Sequence, residues 1–295
     1  LQRMSLLIGT RGSRLALAQA EKVCALLDMQ GTATEIVVIS TQGDRETGVP
    51  LHEIGGQGVF VRALDDAILS GEIDAAVHSM KDIPAARPEG LVTSAILERD
   101  SPADFLAHSI PGDEVAVIGT SSTRRRAQLL RSNPDLDIRQ LRGNVDTRLR
   151  KLKSGEYDAI VLAEAGMQRM NLSLEGERLD PEVFVPSPNQ GTIAVVSNTR
   201  REVCDAFSPL DHPPSRADVE AERAVMEAVG GGCFTPQGIY CRDGYLIGEI
   251  LSLDGSRSVR IEEEIGSIED AARYGARLHV EGRDLIREAY EKLGL

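Results

Sequence analysis

The sequence predicts an α/β protein made of two similar lobes and a small C-terminal α+β domain. Three observations carry that expectation. Apolar strands alternate with amphipathic helices up to Ile96, and the alternation restarts at Val115. Beyond the proline-rich stretch of Pro209, Pro213 and Pro214 it gives way to three strands and one long helix. The expected domains are residues 1–97 with 191–209, residues 98–190, and residues 214–295.

Met4 to Thr10 (MSLLIGT) reads as a buried strand, and Ser13 as the cap of a helix from Arg14 to about Met29 that shows Leu15, Ala18, Val23, Leu26 and Leu27 on one broad face. Glu35 to Ser40 is the next strand. The polar, glycine-rich stretch from Gln42 to Gly58 reads as a long mobile loop, Val59 to Leu69 as a helix, and Ile73 to Val77 and Leu91 to Ile96 as strands. In the second half, Val115 to Gly119, Asp137 to Leu141 and Ala159 to Ala163 are the expected strands, with helices from Ser122 to about Arg131 and from Asn144 to Lys153. Thr192 to Ser197 (TIAVVS) has no helix of its own half behind it and is expected to cross back to the first sheet. The tail predicts a helix from Ala217 to Val229, strands over 237–241, 246–253 and 258–264, and a helix from Ile268 to about Leu293.

The net charge of −13 and the 3% aromatic content argue against general nucleic-acid binding and against anionic membranes, both of which call for surplus cations. Residues 119–153 reverse that average: eight Arg and two Lys stand against three Asp, a local balance of +7. The whole chain has 28 Arg and 5 Lys. Arg is the better choice where a planar fork grips carboxylate or phosphate at two points, so a rigidly held anion is expected there. No apolar run reaches the roughly 20 residues of a membrane span, and no secretion signal is read at the N-terminus, so a cytoplasmic location is expected. Cys24, Cys204, Cys233 and Cys241 show no C-x-x-C spacing, which predicts neither a zinc site nor a disulfide framework, and no metal is expected.

Gly-Thr-Arg-Gly-Ser-Arg at 9–14 and Gly-Thr-Ser-Ser-Thr-Arg-Arg-Arg at 119–126 each leave a strand and enter a helix. Helix N-termini offer unpaired N–H groups and a positive dipole end, so both turns suit anions; Ser13 and Ser122 equally suit ordinary capping. Neither string is a nucleotide-binding glycine motif. His78-Ser79-Met80-Lys81-Asp82 places Lys81 and Asp82 on a loop at a carboxyl strand edge, where open α/β sheets bind ligands. His78 reads as a packed histidine. Cys233 follows three glycines and is the one cysteine the sequence presents on a loop.

Taken together, Gly-Thr-Arg-Gly-Ser at 9–13, Gly-Gly-Gln-Gly-Val-Phe at 55–60, Ala-Val-His-Ser-Met-Lys-Asp-Ile-Pro at 76–84, Gly-Thr-Ser-Ser-Thr-Arg-Arg at 119–125, Leu-Arg-Gly-Asn-Val at 141–145, Thr-Arg-Leu at 147–149, Gly-Glu-Tyr-Asp-Ala-Ile-Val-Leu-Ala at 155–163 and Gly-Gly-Cys at 231–233 closely resemble the porphobilinogen deaminase (hydroxymethylbilane synthase) family, in order over nearly the whole chain. The resemblance implies two periplasmic-binding-protein-like lobes and a third domain that carries a dipyrromethane cofactor through a thioether to Cys233. It implies a cytoplasmic monomer of tetrapyrrole biosynthesis that joins four porphobilinogens head to tail, releases four ammonias, and frees the linear tetrapyrrole by hydrolysis. By motif, Asp82 is the catalytic carboxylate. Arg11, Ser13, Ser79, Lys81, Thr120, Ser121, Ser122, Arg124, Arg125, Arg142, Gly143, Arg148 and Arg169 bind cofactor and substrate, and Gln57 and Phe60 belong to the mobile loop.

Elementary electrostatics agrees with that picture. Six rings with two carboxylates each bring about twelve negative charges, which no neutral cleft holds against their repulsion. Loss of ammonia leaves an azafulvenium cation, which a fixed carboxylate such as Asp82 stabilises. Three departures stand out: Gln57 where many members carry Lys, Arg126 as a third consecutive arginine, and Pro-Asn-Gln-Gly-Thr at 188–192 in place of the commoner Gly-Gln-Gly-Ala. A non-catalytic two-lobe protein that binds an anionic ligand is the alternative, and it requires no covalent group at Cys233.

Overall fold

The computed structural model describes residues 5–40, 59–230 and 232–294, without the side chains of residues 59, 60 and 233. Two compact units divide it: Leu1–Asp100 with Gly191–Arg216, and Ser101–Gln190 with Ala217–Leu295. Among the described residues no helix is long and apolar enough to cross a membrane.

In the first unit, β1 (Leu6–Thr10), β2 (Thr34–Val38), β3 (Ala75–Ser79), β4 (Leu91–Ile96) and the later strand Ile193–Asn198 make one sheet, with the late strand antiparallel between β3 and β4. The helices α1 (Arg14–Asp28) and α2 (Val59–Leu69) connect its parallel strands. Ile8, Ala20, Val23, Cys24, Leu27, Val77 and Phe207 meet in one dry cluster, so α1 packs on the sheet through Ala20, Val23, Cys24 and Leu27; of the expected face Leu15, Ala18 and Leu26 are only half-buried, because the buried stripe is turned toward Ala16 and Ala20. Ile73 and Asp74 are not strand residues as expected. The Ile73 amide bonds to the Ala67 carbonyl at the exit of α2, and the Asp74 carboxylate accepts from the Leu7 amide at 2.9 Å. β3 is thereby moved two residues on, and His78 and Ser79 end a strand instead of starting a loop.

The second unit holds two sheets. The first contains β5 (Asp104–His108), β6 (Val117–Gly119), β7 (Asp137–Arg139), β8 (Ala159–Ala163) and β9 (Gly176–Arg178) in the order β7-β6-β8-β5-β9, with α3 (Thr123–Ser132), α4 (Val145–Lys153) and α5 (Glu164–Arg169). The sequence reading has neither β5 nor β9. Both are short, and β5 opens on an acid and closes on a histidine, which blurs its apolar signal. Counting the late strand of the first unit as β10, and with α6 (Arg201–Phe207) following it, the order β2-β1-β3-β10-β4 in the first sheet matches β7-β6-β8-β5-β9 position by position.

The other sheet, β11 (Gln237–Arg242), β12 (Tyr245–Leu251) and β13 (Ser258–Glu264), is an antiparallel meander covered by α7 (Pro213–Val229) and α8 (Ile268–Leu293). Pro213 and Pro214 begin α7 instead of breaking the chain before it, since proline costs a helix nothing in its first turn. Gly248 lets α8 lie close: a Cβ there would come within 2.7 Å of Leu278 Cδ2.

Candidate functional site

In the first unit the site forms where β1 and β3 end. Thr10 Oγ1 donates to the Ala16 carbonyl, and Ser13 Oγ accepts from the Ala16 amide at 3.3 Å, which caps α1 and turns the chain sharply after β1. Ser79 Oγ donates to Gln19 Oε1 at 2.8 Å and so ties the end of β3 to α1. A 3-10 turn, Met80–Asp82, follows directly, its first amide held by the Thr192 carbonyl. The resulting open pocket is lined by Arg11, Ser13, Gln19, His78, Ser79 and Asp82 together with apolar groups. Four sequence-predicted residues, Arg11, Ser13, Ser79 and Asp82, therefore share one wall. The sequence-predicted Lys81, like Met80 before it, lies in the turn between Ser79 and Asp82 without lining the pocket.

His78 is buried, and its Nε2 meets no hydrogen-bond partner among the described residues. Burial, with Arg87 and Arg11 adding to it, pulls the imidazole down to about 3, so it is neutral at physiological pH. Asp82 is exposed at the rim and is the acid of the lining residues. A neutral ring and a solvent-accessible carboxylate leave Asp82 as the group in this pocket that can hold a negative charge against a cation.

In the second unit the turn at 119–126 shows the capping that the sequence reading set beside anion binding. Ser122 Oγ caps α3 by accepting from the Arg125 amide. Ser121 Oγ donates to the Leu141 carbonyl at 2.8 Å and accepts from the Leu141 amide at 3.1 Å, and Thr120 Oγ1 accepts from the Ser122 amide. The three hydroxyls brace the turn and pin it to the segment before Arg142. The guanidiniums of Arg124 and Arg125, expected as ligand contacts, lie on a buried carboxylate. Arg124 Nη1 reaches Asp104 Oδ2 at 2.8 Å, and Arg125 reaches Asp104 Oδ1 through Nη2 at 2.7 Å and Nε at 3.1 Å. Burial alone would raise the Asp104 carboxyl, but the two cations outweigh it and hold it well below the usual range.

The Leu-Arg-Gly-Asn string is explained by its backbone. Gly143 sits at φ +108°, where a Cβ would lie 2.7 Å from Thr147 Cγ2, and its carbonyl accepts from Arg148 Nε at 2.8 Å. Asn144 caps α4 by accepting from the Thr147 amide. Arg148 is pulled down to about 10, first by burial and then by Arg125, and it forms no ion pair with a described carboxylate. Arg142 is exposed beside it, and Arg169 ends α5.

Gly230, at φ +67°, stops α7, and Cys233 lies in a 3-10 turn, Gly232–Phe234. Gln237 Nε2 donates to the Gly232 carbonyl at 3.4 Å. Cys24 and Cys241 are buried, with thiols raised first by that burial. Gln57 lies outside the described residues, as does the stretch read as a mobile loop; the backbone of Phe60 falls in α2. Among the described residues no cluster of His, Cys, Asp or Glu could hold a metal ion. Asp104 and Gln190, which the sequence reading did not count as site residues, are buried at the base of the arginine cluster. An acid opening an apolar strand was the available signal.

A family profile described as the porphobilinogen deaminase dipyrromethane cofactor-binding domain matches residues 6–206, and one described as the porphobilinogen deaminase C-terminal domain matches residues 217–281. The chain is 51% identical over 302 aligned positions to the probable porphobilinogen deaminase of Methanosarcina acetivorans, covering 96% of this chain and 95% of that one. It is 45% identical to the probable enzyme of Archaeoglobus fulgidus, over 97% of this chain and 99% of the relative, and 43% identical to the porphobilinogen deaminase of Nitratidesulfovibrio vulgaris strain Miyazaki F, over 86% and 85%. Among solved structures, an ancestral cationic amino acid solute-binding protein aligns with a TM-score of 0.43 at 14% identity, over 71% of this chain and 89% of that one.

Proposed function

The chain belongs to the porphobilinogen deaminase family, and from that premise we propose that it condenses four porphobilinogens into hydroxymethylbilane, with Asp82 as its catalytic carboxylate and Cys233 as the point of cofactor attachment. In each condensation the aminomethyl C–N bond breaks and ammonia leaves. The freed carbon bonds the open α-carbon of the acceptor pyrrole, which gives up its proton; water ends the series and supplies the terminal hydroxyl. The observation that carries this reading is the pocket at the end of β3, where Asp82 is the acid beside a histidine kept neutral. A carboxylate held there stabilises the cation that ammonia loss creates and can take up the α-proton.

The residues present fit an acidic pyrrolic group. Arg124, Arg125 and Asp104 sum to one surplus positive charge, and Arg148 adds a second that no described carboxylate answers. Arg142 and Arg148, on either side of Gly143, are the side chains we assign to its acetate and propionate groups. A dipyrromethane bound to Cys233 supplies the open pyrrole position at which chain growth starts. Left-handed glycines at 230 and 232 precede Cys233, whereas Cys24 and Cys241 are sequestered in packed elements. We extend the proposal to the domain limits 1–97 with 191–209, 98–190 and 214–295, and to a cytoplasmic monomer.

Intact-mass spectrometry of the purified holoprotein tests the assignment. A dipyrromethane mass increment is expected, mapped by peptide analysis to Cys233, lost in Cys233→Ser and kept in Cys24→Ser, Cys204→Ser and Cys241→Ser. Unmodified Cys233 in protein that consumes porphobilinogen and releases ammonia refutes the attachment. An unmodified protein that binds porphobilinogen without consuming it establishes the non-catalytic alternative.

A further inference from the structure

The base of the arginine cluster contains more than the two guanidiniums need for folding. Asp104 is wholly buried and accepts four hydrogen bonds: one from Arg124, two from Arg125, and one at 2.9 Å from Gln190 Nε2, which also donates to the Pro102 carbonyl. Gln190 is held in turn. Its neighbour Asn189 sits at φ +64°, donates its amide to the buried Glu222 of α7 at 2.5 Å, and donates its side chain to the Val219 carbonyl. Arg124 Nη1 and Gln128 Nε2 both donate to the Val185 carbonyl, and Arg125 Nη1 donates to that of Val161. The positions of both arginines are thus fixed from below.

Three features at this one place raise the positive potential, and each costs stability by itself. Two cations share one buried anion, so the triad is not neutral. Both arginines occupy the first turn of α3, where the helix dipole disfavours cations. Arg148 is desolvated beside Arg125 with no described acid to offset it. A cluster arranged for stability alone would carry a second acid, so the surplus points to an anion brought in from outside.

We propose that Asp104 is a positioning residue for the anion-binding end of the second lobe: locked by Gln190, it holds Arg124 and Arg125 in one fixed arrangement that presents a surplus positive charge to the carboxylates of cofactor and growing chain. This rests on the function proposed above. Asp104 touches no substrate; it sets where the arginine charges are, and a misplacement on the scale of an ångström costs such a site up to about a hundredfold.

The test uses holoprotein carrying Asp104→Asn, Gln190→Leu or, as a stability control in the first unit, Asp211→Asn, which breaks the Asp211–Arg216 ion pair. For each, the melting temperature, the fraction loaded with cofactor by intact mass, and KM and kcat for porphobilinogen are measured. Asp104→Asn is expected to raise KM or depress loading by about tenfold or more, Gln190→Leu to act in the same sense more weakly, and Asp211→Asn to lower the melting temperature with KM unchanged. A folded, loaded Asp104→Asn with wild-type KM overturns the proposal, as does an Asp211→Asn control with an equal rise in KM. Should Asp104→Asn not fold, Gln190→Leu decides by the same criterion. Wild-type holoprotein that fails to release ammonia from porphobilinogen sinks the functional reading itself, whereas normal turnover in wild type and both variants sinks only the role of Asp104.

Discussion

The end of β1 in the first sheet and the end of β6 in the second are reached by similar chain geometry. In both lobes a strand runs into a serine-capped helix, and the sheets share one strand order. The electrostatics are opposite. The first lobe leaves its acid, Asp82, exposed on a 3-10 turn and buries a neutral imidazole beside it; the second buries its acid, Asp104, and raises arginines above it. One architecture therefore leaves an exposed carboxylate in one lobe and surplus positive charge over a buried acid in the other. The sign at each end is decided by which side chain is buried.

The sharpest way to break this contrast is to neutralise the exposed acid. Asp82→Asn keeps shape and removes charge, and because Asp82 is solvent-accessible and away from the cores, the fold should melt as wild type does. Turnover should fall by at least about a hundredfold, the scale of one positioned charge or proton-transfer group, with loading of Cys233 by preformed cofactor retained. Steady-state ammonia release measures it, and near-wild-type kcat removes Asp82 from the chemistry.

On the other lobe, Arg148→Leu should separate function from stability. A half-buried cation without an acid partner is a burden on the fold, so its removal should leave the melting temperature unchanged or higher. Affinity should still suffer: KM for porphobilinogen is expected to rise by about tenfold, in line with the loss of one charge-assisted contact. A variant that loses stability and keeps KM would make Arg148 a structural residue and erase the contrast between the lobes.

Much of this was legible in the sequence, for identifiable reasons. The strings around Ser13, Asp82 and Gly143 are local: caps, a strand edge and a left-handed glycine are set by residues within a turn of one another, and pattern reading finds such features. The acid under the arginines was not legible, because Asp104 is about twenty positions from Arg124 and reaches it only through sheet pairing in β5, a strand with a weak apolar signal. Gln190 stood out only as part of an unusual string at 188–192, and its partner lies 86 positions away. The sequence leaves Thr120, Ser121 and Ser122 open between anion ligands and caps, because hydroxyls at a helix start look alike whether they face a ligand or brace a turn. In the fold Ser121 bonds the Leu141 backbone, Thr120 accepts from the Ser122 amide and Ser122 caps the helix, so all three brace the turn.

The neutral imidazole gives a pH-dependent test. His78 titrates near 3 in the fold against 6.5 when unfolded, so between those values the unfolded chain binds a proton that the native protein refuses. Native stability accordingly falls as pH drops from 6.5 toward 3, by up to about 1.4 kcal/mol per pH unit from this one group. His78→Gln should remove that share of the acid slope in urea unfolding followed between pH 4 and 7. An unchanged slope would show that the ring takes up its proton as readily in the native pocket as in the unfolded chain, which removes the neutral imidazole from beside Asp82 below pH 6.5.

The smallest expected effect is at Arg200, an arginine outside both sites. Its Nη2 lies 2.6 Å from Asp74 Oδ1, but its side chain is 52% exposed, so solvent screens most of the attraction. Asp74 loses little when the partner goes, because its other oxygen still accepts from the Leu7 amide at the start of β1. Arg200→Leu should therefore cost about 0.5–1 kcal/mol in chemical unfolding and leave KM, kcat and cofactor loading at wild-type values. That outcome matters for the contrast between the lobes, since it separates arginine as a general surface residue from arginine placed over a buried acid. If Arg200→Leu raised KM as far as Arg148→Leu, the effect of either would be ascribed to net charge, and the positions of the arginines around Asp104 would carry no information about binding.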